Sequence, residues 1–355
     1  MRACVRATLP HKHTRKRRLQ PTLYRALNAA ESCASFCLST MLDPFAAKLA
    51  SFHRAHTAFE MERNASRFFH VDHLSKDYAA KQASMLATPL HFYGHANHWG
   101  QNVLDLWEPE YSCDHEVRVP EVLGDGPKWM CGATLHPEPC TLVSLGSSFD
   151  ARFEQAMHRL ANCSAYIVDP TLANGNRARA RLPEFTRQVE AFGAVLNTSV
   201  GVGRNGATVK LMREHTYTRL VGLRELLRDR FPGVHRHISI LKVDVEGAEY
   251  DALADAYQMC ADGELSIDQM TVEFHVGLAI QSGDARNYTL RHLRDVFAGA
   301  SACGLMLHHK ERNSWGCDGY ACIEYSWVSA THARRTFMSL RASLSESHRR
   351  IHVRS

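Results

Sequence analysis

From Cys140 to about residue 330, short and nearly continuous apolar runs alternate with longer stretches whose apolar positions recur every three to four residues. The short runs read as strands buried on both faces of a parallel sheet, and the longer stretches as helices that cover it. Strands are predicted over Thr141–Gly146, Ser164–Asp169, Ala194–Val200, Ile238–Val243 and Gln269–Val276. Helices are predicted over Phe149–Leu160, Ala178–Phe192, Tyr217–Phe231, Ala248–Tyr257 and Tyr288–Cys303, with a hairpin excursion around Ala207–Leu211. Two final apolar runs, Leu305–Lys310 and Cys322–Val328, are joined by a loop instead of a helix, which suits an antiparallel pair. The pattern predicts one doubly wound, mostly parallel α/β domain over residues 140–330.

The rest of the chain has a different texture. Residues 1–45 read as a basic tail or targeting segment, and residues 46–87 as a helical extension. Residues 88–139 are rich in Gly and Pro but also carry Trp99, Trp107, Tyr111 and Trp129, so they read as a loop-rich, irregular cap and not as a linker. Residues 331–355 read as a basic, peripheral tail.

Charge and cysteine content narrow the picture. The net charge of +5 is concentrated at the start, where Met1 to Ala30 holds six Arg and two Lys and no acid. A near-neutral remainder does not suggest a nucleic-acid-binding body. No run of eighteen apolar residues marks a transmembrane helix. Eleven cysteines without a C-x-x-C pair do not form zinc knuckles. Cys113 and Cys131 flank one loop-rich segment, and Cys140 and Cys163 precede strands expected to be adjacent, so disulfides and an oxidising compartment are one option. With four N-x-S/T sequons, at Asn64, Asn162, Asn197 and Asn287, this favours a secretory lumen or an organelle over the cytoplasm.

The candidate chemistry lies at strand ends. Strand Ile238–Val243 is followed by Asp244, Glu246 and Gly247, and two carboxylates placed together need a donor, a cation or a positive ligand. The plainer reading is an ordinary turn in which Glu246 favours a helix N-terminus. The first strand ends in Gly146-Ser147-Ser148, where a backbone can approach a ligand. The second ends in Asp169, which can accept both hydroxyls of a ribose or simply shape the turn before Pro170. No G-x-G-x-x-G is present, which disfavours a nicotinamide-dependent oxidoreductase.

Leu241-Lys-Val-Asp-Val-Glu-Gly-Ala-Glu249 resembles the signature of FkbM-related methyltransferases, which depend on S-adenosylmethionine. The resemblance extends through Asp125-Gly-Pro-Lys-Trp-Met-Cys131, Ser144-Leu-Gly146, Phe153-Glu154, Asp169-Pro-Thr171, Glu273-Phe-His275 and Lys310-Glu-Arg-Asn313, over about residues 110–328. It implies a Rossmann-like class I methyltransferase fold with S-adenosylmethionine as cofactor and a sugar or other small hydroxylated molecule as acceptor. Gly146, Ser147 and Ser148 would then face the methionine part of the cofactor, Asp169 its ribose, and Thr198 or Ser199 its adenine. Asp244 and Glu246 would lie near the sulfonium and the acceptor. His275, as a neutral imidazole, is the first candidate for a base and Glu246 the second. Its plainer reading is a hydrogen-bonded histidine at a strand end. A divalent metal on Asp244, Glu273 and His275 is an alternative that no histidine spacing among them supports, so no metal site is expected. The rival function is a non-catalytic module of the same fold that binds a glycan or a protein.

Overall fold

Short apolar runs become strands here because helices cover them on both sides. The computed structural model describes residues 107–211, 216–231, 233–234, 236–276, 288–315 and 321–339, together with Ala87. The helical extension expected over 46–87 lies outside the described residues, apart from Ala87. Strands β3 (Thr141–Leu145), β4 (Ser164–Val168), β5 (Val195–Asn197), β9 (His237–Val243), β10 (Ser266–His275), β11 (Leu305–Arg312) and β12 (Cys322–Ser329) form one sheet in the order β11-β12-β10-β9-β3-β4-β5. All neighbours are parallel except β12, which runs antiparallel to both β10 and β11.

Helices α1 (Arg152–Ala161), α2 (Asn176–Glu190), α3 (Leu223–Arg230), α4 (Glu249–Ala261) and α5 (Leu290–Ala302) pack on this sheet. Leu142, Ile167 and Ile240 bury against Met157, Phe185 and Val189 on one face. Val143, Leu145, Leu241 and Val243 bury among Leu253, Phe274 and Phe297 in the other core. The chain winds outward from β3 to β5, then returns to place β9 on the other side of β3. This reversal places the carboxyl ends of β3 and β9 at the point of a doubly wound sheet where ligands generally bind.

Three expectations differ from the structure. The cap is not wholly irregular: β1 (Glu116–Val119) and β2 (Lys128–Cys131) pair antiparallel within it. Residues 217–221, expected as the start of a helix, belong to strand β8 (Thr216–Val221) beside β6 (Gly201–Val202) and β7 (Thr208–Leu211). Alternation in Thr218-Arg-Leu-Val and the Gly222 turn outweigh the helical spacing, and α3 begins only at Leu223. Residues 330–339, at the start of the segment expected as a peripheral tail, form a helix that buries His332, Ala333 and Thr336, and the rest of that segment lies outside the described residues.

Disulfides join Cys113 to Cys131, Cys140 to Cys163, and Cys260 to Cys303. The first two are the pairs that the sequence placed close together. The third links the ends of α4 and α5, a proximity that only the packing of those helices creates.

Candidate active site at the carboxyl ends of the central strands

Gly146, Asp169 and Asp244 follow three adjacent strands, and backbone hydrogen bonds lace their tips together. Gly146 donates to the Val168 carbonyl at 2.8 Å, Asp244 to the Leu145 carbonyl at 2.8 Å, and Asp169 to the Asn197 carbonyl at 2.9 Å. Gly146 has φ +86°, and a Cβ there would lie 1.7 Å from the Asp244 carbonyl oxygen. No side chain fits at this crossing. Gly146→Ala is therefore expected to lower stability by ~2 kcal/mol or more, combining steric overlap with left-handed strain, as a chemical denaturation curve would show.

A buried polar trio supports the turn after Gly146. Ser144 donates to Glu154 Oε1 at 2.6 Å, and Lys242 Nζ donates to the Gly146 carbonyl at 2.5 Å while lying 3.9 Å from Glu154. Ser148 and Phe149 then adopt φ of 48° and 65°, values that cost energy for residues with a Cβ. The turn is clamped from the neighbouring strand. Asp169 Oδ2 accepts from the Ser147 and Ser148 amides at 2.9 and 2.8 Å and from Ser147 Oγ at 3.2 Å. Asp169 Oδ1 accepts from the Thr171 amide at 3.0 Å and Thr171 Oγ1 at 2.5 Å. Two of these donors are hydroxyls, which ribose hydroxyls can replace one for one, while the backbone amides keep the clamp. Asp169 is thus compatible with a nucleoside and also shapes the loop that would hold it.

Thr198 and Ser199 follow β5, the strand beside β4, and Ser199 folds back onto Asn197 Oδ1 through its amide at 2.9 Å and its hydroxyl at 3.0 Å. They share the carboxyl edge of the sheet with Asp169.

On the other side of Gly146 lies a buried charge cluster. Glu273 and Glu324 face each other across β10 and β12, an arrangement of like charges that costs stability by itself. Lys128, carried in from β2, resolves it. Its side chain is 1% exposed, and its ammonium pairs with Glu324 and lies 3.4 Å from Glu273 and 3.8 Å from Asp244. Burial disfavours this charge, but Glu324, Asp244 and Glu273 outweigh it and raise the Lys128 pKa. Burial pushes Glu324 up to about 8 and also raises Glu273, whereas Lys128 and Lys242 overcome burial at Asp244 and keep it ionised. Asn313 donates to Glu273 Oε1 at 2.9 Å and to Asp125 Oδ1 at 3.1 Å, tying the cap to the cluster.

His275 ends β10 beside this group. Its Nδ1 lies 2.6 Å from Glu249 Oε1, and its Nε2 lies 3.7 Å from Glu246 and 3.8 Å from Glu273. Burial opposes the charged ring, yet Glu249 and the other two carboxylates lift its pKa to about 10. His275 is therefore an imidazolium near neutral pH, which corrects the expectation of a neutral base.

Glu249, at the start of α4, also accepts from the amides of Val245 at 3.3 Å and Gly247 at 3.0 Å. These bonds hold Glu246 at φ 55°. Glu246 is about half exposed, and burial of the rest of the carboxyl raises its pKa against the pull of His275. A raised, reachable carboxylate is the better proton acceptor of the two candidates.

The structure thus brings Gly146, Ser147, Ser148, Asp169, Asp244, Glu246 and His275 to one edge of the sheet. Sequence reasoning missed Lys128, Glu249 and Glu324. The first two sit inside motifs already singled out, but nothing local shows that a lysine will be buried among carboxylates. A groove of about 400 Å³ lined by Gly203, Arg204, Arg224 and Asp255 lies elsewhere and shares none of these residues.

Sheet order, its reversal at β3 and the acidic strand ends define a Rossmann-like α/β domain of the class I methyltransferase type. A family model described as a methyltransferase domain matches residues 70–329, and the chain belongs to that family. No curated protein matches. Among solved structures, the chain is similar to a precorrin-6y C5,15-methyltransferase from Geobacter metallireducens, at 9% identity over 54% of this chain and 80% of that one, with a TM-score of 0.29. It is also similar to an O-methyltransferase of neocarzinostatin biosynthesis in complex with S-adenosylmethionine and 2-hydroxy-5-methyl naphthoic acid, at 15% identity over 56% and 51%, TM-score 0.29. A third is the Methanococcus jannaschii fibrillarin pre-rRNA processing protein, at 10% identity over 65% and 86%, TM-score 0.32.

Proposed function

We propose that the chain transfers a methyl group from S-adenosylmethionine to an oxygen of a sugar or other small hydroxylated acceptor, within the FkbM-related branch of methyltransferases. The observation that carries this reading is the row formed by Asp169, Gly146 and Asp244 on adjacent strand tips, with Glu246 next to it. S-adenosylmethionine supplies an electrophilic methyl on a sulfonium that brings its own leaving group. The protein's task is then to hold the reacting atoms in line. Gly146, Ser147 and Ser148 line the methionine side, Asp169 accepts the ribose hydroxyls, and Thr198 with Ser199 border the adenine. Asp244, kept ionised by its lysines, faces the positive sulfur. Glu246 takes the acceptor's proton, and the His275 imidazolium at 3.7 Å steadies the carboxylate. Disulfides in the domain favour an oxidising compartment such as the secretory lumen.

Calorimetric titration of the full chain with S-adenosylmethionine tests this. Binding is expected, and Asp169→Ala should weaken it at least tenfold, or about 1.4 kcal/mol. Absence of binding in wild-type protein removes the enzyme reading and leaves a glycan- or protein-binding module. An acceptor search by mass spectrometry should then find a methyl gain in glycan or metabolite extracts.

A further inference from the structure

The opposite end of β10 carries a second cluster that the proposed methyl transfer does not use. His136 from the stretch before β3, Asp268 near the start of β10 and His332 from the helix over 330–339 place ligand-capable atoms within 4.8 Å of one another. These residues are 8%, 6% and 0% exposed. His237, the first residue of β9, approaches from another side, with Nε2 3.5 Å from Asp268 Oδ2.

The hydrogen-bond partners decide where the protons lie. His332 Nε2 is 2.9 Å from the Cys131 carbonyl, which can only accept, so that nitrogen is protonated and Nδ1 keeps its lone pair. His332 Nδ1 lies 3.9 Å from Asp268 Oδ2. The Ser266 hydroxyl donates to the Arg236 carbonyl at 3.1 Å and therefore accepts from His237 Nδ1 at 3.0 Å. That leaves a lone pair on His237 Nε2. Two imidazole lone pairs thus converge on one carboxylate oxygen. His136 Nδ1, His237 Nε2 and Asp268 Oδ2 are buried and make no hydrogen bond among the described residues. His136 Nε2 lies 2.9 Å from the Gln269 amide nitrogen, a donor because the Gln269 oxygen accepts from the Cys131 amide, so His136 would join a metal through Nδ1 by giving up the proton held there.

Acceptors facing acceptors at this depth are costly unless a cation lies between them. Arg335 is the one cation here among the described residues. It donates to His332 Nδ1 at 3.1 Å and lies 3.5 Å from Asp268, and its side chain is one-third exposed, so a metal ion would take its place by displacing it towards solvent. The observed separations of 3.5 and 3.9 Å are only slightly wider than the edge, about 3.3 Å, of a tetrahedron with bonds near 2.0 Å. Imidazole nitrogens with one carboxylate suit zinc. The Cys131 carbonyl would act as the outer partner that orients His332.

We propose that Asp268, His332, His136 and His237 form a structural zinc site at the amino-terminal end of the sheet. It would staple the cap, through His136, and the C-terminal helix, through His332, to β9 and β10. Because it sits at the far end of β10 from His275, its role is stability and not methyl transfer.

The test is metal content and zinc-dependent melting of the full chain. Wild-type protein purified with zinc should carry about one equivalent by elemental analysis. Chelator should remove it and lower the melting temperature, and zinc chloride alone should restore both. Cobalt should substitute and give the intense visible bands of a tetrahedral site. His332→Gln and Asp268→Asn should lose the metal. Arg335→Gln should hold zinc at least as tightly as wild type, because a competing cation is gone. If chelator-treated wild-type protein neither binds zinc nor melts higher with it, the site does not exist. Zinc retained by both ligand variants, or released by Arg335→Gln, overturns the assignment as well.

Discussion

Lys128→Met should destabilise the domain by about 3–5 kcal/mol, the usual cost of removing one partner from a buried ion pair. Methionine nearly matches the lysine stem, so packing is largely kept and the loss reports on the charge. Without the ammonium, Glu273 and Glu324 confront each other across β10 and β12 in a buried setting, with Asp244 close by. Denaturant melts of wild type, Lys128→Met, Glu324→Gln and the double variant form a cycle. The second change should recover part of the loss, because it removes one of the stranded carboxylates. Purely additive losses would mean that the lysine stem, and not its charge, holds the cap hairpin down.

His275→Gln should be much less stable than wild type below about pH 6.5, and the gap should close as the pH rises towards 10. The folded-state pKa of about 10 lies above the ordinary 6.5. The imidazolium therefore contributes fully below 6.5, and its contribution fades as pH climbs through that interval. At 1.36 kcal/mol per pH unit the difference corresponds to at most about 5 kcal/mol. Stability of the two proteins measured side by side from pH 6 to pH 10 cancels the titration of other groups. A constant gap would show that His275 is neutral in the folded protein. It would also restore the ring as the first choice of base over Glu246.

Much of the architecture was legible because β9 and its neighbours are buried on both faces, and such strands are written as mostly apolar runs with a few buried polar residues. Acidic residues immediately after them stand out, so Asp169, Asp244 and Glu246 were recognisable. Strand β8 was not, since a six-residue segment on a small satellite sheet obeys both a helical and an extended pattern. The cysteines behaved in the same way. Cys113 with Cys131 and Cys140 with Cys163 are close for local or strand-pairing reasons, whereas Cys260 meets Cys303 only through the contact of α4 with α5.

Sequence alone determined the doubly wound sheet and the carboxylates that follow its central strands. Each of these follows from chain-local periodicity and from the rule that ligands gather at strand ends. Tertiary structure decided the protonation states. A lysine from the cap entered between two facing glutamates, Glu249 turned His275 into a cation, and Asp169 became a clamp for the loop beside it. Charge state depends on what surrounds a group in space and on how much water is excluded there, and neither is encoded within a few residues of the group itself.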